Sequence, residues 1–198
     1  MPHCQPPRDS KNLPRIWLVS DARNDAQLAQ ILAHLPRGSG FIFRHYHLPP
    51  AKRRARFMAL RRIARRYGHS IILSGPAHLA RKWGADGIYG PAEIIAKGSA
   101  MIRLMTAHNL REMRRAKQCR ASCIMLSPVF PTGSHVGGKP LGRIKFRALI
   151  AHAQVPVVAL GGMNARRAKT IDARSWAAID GLTHKLTHQS DRDGRPVL

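Results

Sequence analysis

The chain has 198 residues, 44% of them hydrophobic, which is enough to fold around a core and excludes a disordered chain. No apolar run approaches the roughly 18 residues needed to cross a bilayer, which excludes a membrane-spanning protein. Lysine and arginine number 34 against 10 acidic residues, giving a formal net charge of +24. This charge favours anionic partners such as phosphorylated small molecules or nucleic acid, although a general bias toward arginine explains it equally well.

The two ends of the chain and the cysteines carry little functional signal. Residues 1–15 contain prolines and polar residues without an apolar signal segment, and residues 184–198 are polar, so we predict a flexible arm, a polar tail and a cytoplasmic protein. The three cysteines, Cys4, Cys119 and Cys123, lack framework spacing and are interpreted as reduced thiols. The spacing of Cys119 and Cys123 suits one helix face, and we interpret them as core or surface thiols rather than zinc ligands.

Between these ends, short apolar runs alternate with segments of helical periodicity. The predicted strands are 16–19, 41–43, 71–73, a turn plus strand over 84–89, 101–105, 123–126, 155–160 and 177–179. The predicted helices are 26–35, 51–67, 78–83, 93–97, 110–118, 144–152 and 165–171. Residues 106–109 are expected to open the helix that begins at Leu110.

The helix predicted over 51–67 is the most basic segment of the chain. Its predicted apolar stripe is made of Ala55, Met58 or Ala59, Ile63 and Tyr67, and lysine and arginine fill the remaining surface. One apolar stripe is typical of an outer helix packed on a sheet. A nucleic-acid-binding accessory role is the alternative, although no zinc-finger, helix-turn-helix or RNA-binding motif accompanies the helix.

The alternation of strand and helix predicts a parallel sheet, and eight strands favour a compact (β/α)8 TIM barrel over residues 16–183. Neither a Rossmann glycine fingerprint nor a P-loop is present. In such a barrel the functional site lies at the carboxyl ends of the strands. The residues expected there are Ser20-Asp21, Arg44-His45, Ser74-Gly75, Tyr89-Gly90, and those of 106–108, 127–135, 161–164 and 180–181.

Two of these strand ends carry the strongest functional signal. Residues 127–135 read Ser-Pro-Val-Phe-Pro-Thr-Gly-Ser-His, and residues 156–163 read Pro-Val-Val-Ala-Leu-Gly-Gly-Met. In both, an apolar run stops at proline, glycine or hydroxyl residues. Backbone N–H groups freed at such ends, together with hydroxyls, bind phosphate oxygens. The pattern predicts a phosphate site formed jointly by the two segments.

These segments resemble the thiamine phosphate synthase family and its thiazole tautomerase relatives. The residues at 84–88, Gly-Ala-Asp-Gly-Ile, resemble the family's G-A-D-G-V, and Thr106-Ala107-His108 resembles its S-x-H. The first strand and its end, 16–21, resemble its L-Y-L-I-T-D, so the similarity runs from about residue 16 to 182. The resemblance implies a TIM barrel, Mg²⁺ and two small phosphorylated substrates. A hydroxymethylpyrimidine diphosphate would ionise and a thiazole phosphate would capture the cation, releasing pyrophosphate.

The resemblance also implies roles for single residues. Arg44 matches the arginine of a Q-x-R-x-K strand end and is expected to clamp the diphosphate; Ser127 and His108 are the other expected catalytic residues. The expected phosphate-binding residues are Arg44, Thr106, Thr132, Ser134, His135, Lys139, Gly161 and Gly162.

Several positions depart from the family pattern. Ile42 and Tyr46 stand where the family has glutamine and lysine, and Ser74-Gly75 replaces an Asn-Asp pair whose aspartate is a Mg²⁺ ligand. Glu93 is the remaining predicted metal ligand, beside the second metal position. Pro128 stands at the tautomerase histidine position, as in the synthases. A barrel that binds a phosphorylated thiazole or thiamine ligand without catalysis is therefore an alternative to the synthase.

Overall fold

The computed structural model describes residues 13–96, 101–133 and 139–182. Eight parallel strands form a closed barrel in sequence order: β1 (Ile16–Val19), β2 (Gly40–Phe43), β3 (Ser70–Ser74), β4 (Gly87–Gly90), β5 (Ile102–Ala107), β6 (Cys123–Leu126), β7 (Val157–Ala159) and β8 (Trp176–Ala178). The helices of the described part are α1 (Leu28–His34), α2 (Pro50–Arg66), α3 (Ala77–Trp83), α4 (Ala92–Ile95), α5 (Leu110–Gln118), α6 (Gly142–Ile150) and α7 (Ala165–Thr170). A 3-10 helix, Ala22–Gln27, precedes α1. The predicted TIM barrel is confirmed.

The strand residues separate into two apolar layers because successive side chains of a strand point to opposite faces. One buried cluster fills the inside of the barrel, and its members include Trp17, Ile42, Ile72, Leu104, Met125 and Val158. The second, larger cluster lies between the strands and the helices, and its members include Leu18, Phe41, Phe43, Phe57 and Leu126. The same alternation directs Arg44, two residues beyond Ile42, toward the barrel axis at the carboxyl mouth.

Trp17 and Gly40 close the amino end of the barrel. Trp17 is fully buried, and its indole N–H donates to Pro14 O at 2.8 Å. A Cβ at Gly40, its partner in the β1–β2 register, would lie 2.0 Å from Trp17 Cε3. The missing side chain therefore admits the indole at the bottom of the barrel, while the opposite end stays open.

The buried face of α2 differs from the predicted stripe. The helix buries Phe57, Leu60 and Ala64, whereas Ala55 is exposed. The Phe57 ring packs 5.3 Å from the ring centroids of both Phe43 and Trp83. The largest side chain, rather than the more numerous small ones, sets the rotation of the helix.

One further local prediction was wrong. Strand β5 extends to Ala107, so Thr106 belongs to the strand, and Asn109 caps α5 by accepting a hydrogen bond from Glu112 N. Cys119 follows the end of α5 and Cys123 begins β6, where a strand was predicted over 123–126, so the two cysteines do not share a helix face. Both thiols are buried, as core thiols would be, and burial raises the pKa of Cys123 to about 12.

Residues 1–12 and 183–198, which include most of the predicted arm and the whole predicted tail, lie outside the described residues, and those boundaries stay predictions. The last part of the arm contacts the barrel. Pro14 O accepts from the Ser175 hydroxyl at 2.8 Å, and Arg15 O accepts from Trp176 N at 3.0 Å. Among the described residues, no helix has the length and apolar character needed to cross a membrane.

Candidate active site

A cavity of about 430 Å³ opens at the carboxyl mouth of the barrel. Its walls come from the ends of β2, β4, β5, β6, β7 and β8 and from the start of α7. Of the predicted site residues, those that line it are Arg44, His108, Ser127, Thr132, Gly161 and Gly162. Predicted site residues from the ends of four strands therefore line the same cavity.

The loops after β6 and β7 form one side of this cavity and are held together by backbone contacts. Val129 N donates to Leu160 O at 2.9 Å, and Phe130 N donates to Gly161 O at 3.1 Å. A Cβ at Gly161 would lie 2.7 Å from Pro128 Cα, and a Cβ at Gly162 would lie 2.4 Å from Pro131 O. Both glycines have positive φ, 93° and 60°, so the close approach and the conformation both require glycine.

The N–H groups of this glycine pair are available to a ligand. Neither Gly161 N nor Gly162 N donates a hydrogen bond to another residue within the described ranges. Both glycines line the cavity, as does Thr132. Adjacent N–H groups in such a turn form a concave site for anions.

Arg167 is a cavity residue that sequence reasoning missed. Its side chain donates to Gly162 O at 2.5 Å, and its guanidinium lies 5.1 Å from the Phe130 ring centroid. Asn164 caps α7 by accepting from Arg167 N at 2.8 Å, which places Arg167 in the first helical turn. An asparagine two residues after Gly162 and three residues before an arginine is the signal that was available.

Arg44 stands on the opposite side of the mouth, with 26% of its side chain exposed. Its backbone is fixed on both faces: Arg44 N donates to the Ser20 hydroxyl at 2.8 Å, and Arg44 O accepts from Arg53 Nε at 2.8 Å. Arg53 Nη2 also donates to Ser74 O at 2.7 Å, so one side chain from α2 bridges the ends of β2 and β3. Burial lowers the pKa of Arg53, and the nearby Tyr46 opposes this shift.

A buried chain of hydrogen bonds continues from Ser20. The Ser20 hydroxyl contacts His45 Nδ1 at 2.8 Å, and His45 Nε2 contacts Asp25 Oδ1 at 2.7 Å. Arg56 Nε donates to the same carboxylate oxygen at 2.7 Å. When Nε2–H donates to Asp25, Nδ1 accepts from the Ser20 hydroxyl, whose oxygen in turn accepts from Arg44 N. Ser20 and His45 are buried and do not line the cavity. These hydrogen bonds therefore hold Arg44 in position, and neither residue is placed to attack a substrate.

The protonation of His45 and Asp25 in this hydrogen-bonded series follows from their surroundings. Burial lowers the pKa of His45, although the hydrogen bond and charge of Asp25 oppose the shift. Burial raises the pKa of Asp25, but His45 and Arg56 outweigh that effect and hold the pKa below its usual range. Both directions favour a neutral imidazole beside an ionised carboxylate.

Tyr46, Ser74 and Gly75, three positions that depart from the family pattern, lie together near the end of β3. The Tyr46 hydroxyl donates to the Ser74 hydroxyl, which in turn donates to Tyr89 O at 3.3 Å. Burial raises the pKa of Tyr89 to about 12, with the charge of Arg44 opposing the shift. Gly75 has a φ of 149°, a conformation that side-chain-bearing residues rarely adopt.

His108 and Ser127 meet at the end of β5 and β6. His108 Nδ1–H donates to Ser127 O at 2.7 Å, and His108 N donates to Glu112 Oε2 at 2.8 Å. The contact fixes the tautomer, because a carbonyl oxygen only accepts, so a neutral His108 has its acceptor at Nε2. The geometry orients the His108 ring at the cavity wall.

Two further predicted phosphate residues, Thr106 and Lys139, do not line the cavity. Thr106 is half-buried on β5 and Lys139 is exposed. Strand β5 is longer than predicted and includes Thr106. Thr106 is the last inward-facing residue of this strand, two residues before His108, which forms the cavity wall. Ser134 and His135 lie outside the described residues.

Glu93, the predicted metal ligand, does not line the cavity. Its side chain is 62% exposed on α4, and Arg115 Nη1 on α5 donates to it at 2.7 Å. Of the carboxylates near the mouth, Asp180 contacts Arg23 Nη1 at 3.1 Å, and Asp21 contacts Arg23 Nε at 3.0 Å and Arg44 Nη2 at 3.9 Å. Within the described residues no group of three or more metal-binding side chains forms. Mg²⁺ prefers free carboxylate oxygens, so this donor set does not fit it.

The comparisons with known proteins agree with this geometry. The family described as thiamine monophosphate synthase matches residues 16–182. The chain is 27% identical over 180 residues to a thiamine-phosphate synthase of Chloroflexus aurantiacus, covering 85% of this chain and 82% of that protein. It is 26% identical over 180 residues to that of Geobacillus kaustophilus, covering 84% and 80%.

A solved structure described as a thiamine phosphate pyrophosphorylase from Pyrococcus furiosus shares the fold. Its TM-score is 0.72 at 20% sequence identity, and the match covers 86% of this chain and 87% of the other. At that identity the likeness to the solved structure shows the barrel fold alone, whereas the family match concerns the sequence of residues 16–182. Because the family match extends from β1 to the end of the described barrel, the chain belongs to the thiamine monophosphate synthase family.

Proposed function

We propose that the chain joins a hydroxymethylpyrimidine diphosphate to a thiazole phosphate and releases pyrophosphate, the reaction of a thiamine phosphate synthase. One observation carries this proposal beyond the family match. Gly161 and Gly162 line one side of the cavity and Arg44 lines the other, so one space offers groups suited to two phosphorylated ligands. A site for a single phosphate would need only one of them.

The bond changes balance without a redox partner. The C–O bond between the pyrimidine methylene carbon and the diphosphate breaks, and the diphosphate oxygen keeps the electron pair. The thiazole nitrogen donates its lone pair to that carbon and becomes the thiazolium nitrogen of the product. Negative charge develops on the leaving diphosphate, so the site must offer cations and N–H donors there.

The chain's own residues meet this requirement unevenly. Arg44 presents a planar guanidinium with several N–H donors, which suits two phosphate oxygens at once. The N–H groups of Gly161 and Gly162, with the Thr132 hydroxyl beside them, suit the thiazole phosphate. The His108 ring, held by Ser127 O, lies at the cavity wall. The family resemblance implies Mg²⁺, but the donor set at the mouth does not fit it, and no step here depends on it.

Turnover tests the proposal directly. Purified protein given both substrates is expected to form thiamine phosphate and to release one pyrophosphate per product, measured by chromatography and by a coupled pyrophosphate assay. The reaction should be run with Mg²⁺ and with EDTA, beside a boiled control. Product at the level of the boiled control under both conditions overturns the catalytic proposal.

A second candidate, ligand binding without catalysis, has its own supporting observation. Tyr46, Ser74 and Gly75 occupy the β2–β3 end, where the resemblance implies a lysine and a metal ligand. This candidate predicts calorimetric binding of thiamine phosphate without any turnover. Measured product formation would remove it.

The structure bears on the nucleic-acid alternative through α2. Three of its arginines, Arg53, Arg56 and Arg65, bind groups of the barrel and its loops, namely Ser74 O, Asp25 and Asp86. These contacts favour an outer barrel helix, in agreement with its single buried face. A gel shift at low salt tests the alternative, since phosphate contacts are strongest there.

A further inference from the structure

The β2–β3 end of the mouth combines cations and hydroxyls where a metal-dependent site needs carboxylates. We propose that this mouth binds a diphosphate group without Mg²⁺, with Arg44 as the charged ligand and Arg53 as the residue that positions it. The inference rests on the proposed function, because it concerns how that same site holds the leaving group.

The first argument is that the nearby carboxylates already have cationic partners. Asp21 contacts both Arg23 and Arg44, and Asp180 contacts Arg23 at 3.1 Å. Burial raises the pKa of Asp21, but the hydrogen bonds and charge of Arg23, together with the charge of Arg44, keep it below its usual range. A divalent cation at these oxygens would have to displace a guanidinium and would then lie beside it.

The second argument is the backbone at the end of β3. A Cβ at Gly75 would meet nothing within 4 Å, so space for a side chain exists. The φ of 149° nevertheless disfavours an aspartate in this conformation. The neighbouring Ser74 hydroxyl already has Tyr46 and Tyr89 O as partners, which leaves little capacity to bind a metal ion.

The third argument is that the cations here are built into the fold. Arg53 lies 5.4 Å from the Tyr46 ring centroid and 5.5 Å from that of Trp83, and it donates to Arg44 O and Ser74 O. Arg44 itself lies 5.8 Å from the Tyr46 ring centroid. Arg53 therefore fixes the segment that carries Arg44, and Arg44 is directed into the cavity before any ligand arrives. A preordered guanidinium binds phosphate oxygens with less loss of side-chain entropy than a mobile lysine.

Calorimetry with inorganic pyrophosphate tests the inference, in EDTA and in Mg²⁺. We expect binding in EDTA, with a dissociation constant within about threefold of that in Mg²⁺ at matched free pyrophosphate. Arg44→Gln should weaken binding in EDTA by about 10- to 100-fold, the loss expected for a charge-assisted contact. The control Arg54→Gln removes an exposed arginine of α2 and should leave binding unchanged.

Arg53→Lys tests the positioning role. Lysine keeps the charge but lacks the fork that contacts both strand ends, so we expect weaker pyrophosphate binding and a raised KM for the diphosphate substrate at nearly constant kcat. A change in unfolding alone, with binding intact, overturns the positioning role. If Arg44→Gln fails to fold, the EDTA titration of the unaltered chain still decides whether a metal is needed.

The outcomes separate this inference from the proposed function. Turnover that EDTA abolishes, or pyrophosphate binding that requires Mg²⁺, overturns the inference while the synthase proposal stands. EDTA-resistant binding without turnover supports the inference and removes the synthase. Absence of pyrophosphate binding in both solutions overturns the inference, and the turnover assay then judges the synthase alone.

Discussion

Two sides of the barrel mouth are built on different principles. The loops after β6 and β7 are joined by backbone hydrogen bonds and by glycines that no side chain can replace. The ends of β2 and β3 are joined by side chains instead: Arg53 across the strands, and Tyr46 onto Ser74. Backbone geometry offers the same N–H groups whatever the neighbours, whereas a site made of side chains changes its chemistry with each substitution.

The side that matches the family pattern is thus the one joined through the backbone, and the side that departs from the pattern is joined through side chains. The glycine side is expected to be sensitive in stability and the arginine side in ligand binding. The comparison would be contradicted if substitutions at the glycines changed only ligand binding, or if substitutions at the arginines changed only stability.

The largest effect is expected on the glycine side. Gly162→Ala places a Cβ near Pro131 O at a φ of 60°, and we expect a loss of about 2–4 kcal/mol in unfolding free energy from clash and strain together. The control Gly68→Ala has a similar φ of 71° but nothing within 4 Å, so it should lose only about 1 kcal/mol. Urea unfolding measures both. Equal losses would show that the contact with Pro131 O contributes nothing.

Arg167 tests whether the glycine side also binds through a side chain. Arg167→Gln is expected to weaken binding of a thiazole phosphate by roughly 10-fold, because a guanidinium beside Gly162 is lost. Arg166→Gln is the matched control, since Arg166 is exposed and does not line this cavity. Calorimetry with the thiazole phosphate distinguishes them, and identical affinities would remove Arg167 from the site.

A smaller effect is expected at Tyr46. Tyr46→Phe removes the hydroxyl that donates to Ser74, which keeps its own bond to Tyr89 O, so we expect a loss of about 1 kcal/mol in unfolding free energy. The control Tyr67→Phe lies at the other end of α2 and should change stability less. A gain in stability for Tyr46→Phe would contradict the hydrogen bond.

The smallest effect is a pH dependence from the buried His45. Its pKa is below the ordinary 6.5 in the folded chain, so the unfolded chain binds more protons as pH falls through 6.5. Stability is therefore fully present above that pH and declines toward the lower folded pKa. His45→Asn, which tolerates the residue's φ of 43°, should flatten this decline. The control His34→Asn, on the exposed face of α1, should show the same decline as the unaltered chain. If the decline is unchanged in His45→Asn, His45 is not its source.

The sequence predicted the strand order and the β6–β7 side well for a physical reason. A buried strand that ends in proline and glycine is a local pattern, and a parallel barrel brings such ends together. The family resemblance then placed Arg44 at the mouth. The boundaries shifted mainly where a strand continued into polar residues, as β5 does at Thr106.

Apart from Arg167, which contacts Gly162 five residues away, the missed features depend on contacts between residues that are farther apart in the sequence. Arg53 was interpreted as one of many surface cations of α2, and only the folded chain shows it on Arg44 O and Ser74 O. Tyr46 and Ser74 are 28 residues apart, and His45 and Ser20 are 25 apart. The exposed Glu93 side chain accepts from Arg115, 22 residues away in the sequence. Such pairings leave no periodic trace in the sequence.

A crystal structure with pyrophosphate and Mg²⁺ tests the contrast between the two sides most directly. The account predicts pyrophosphate oxygens at about 3 Å from the Arg44 guanidinium, with no metal held by protein side chains at the end of β3. A Mg²⁺ ion coordinated there by carboxylates of this chain, or a pyrophosphate bound away from Arg44, would contradict it.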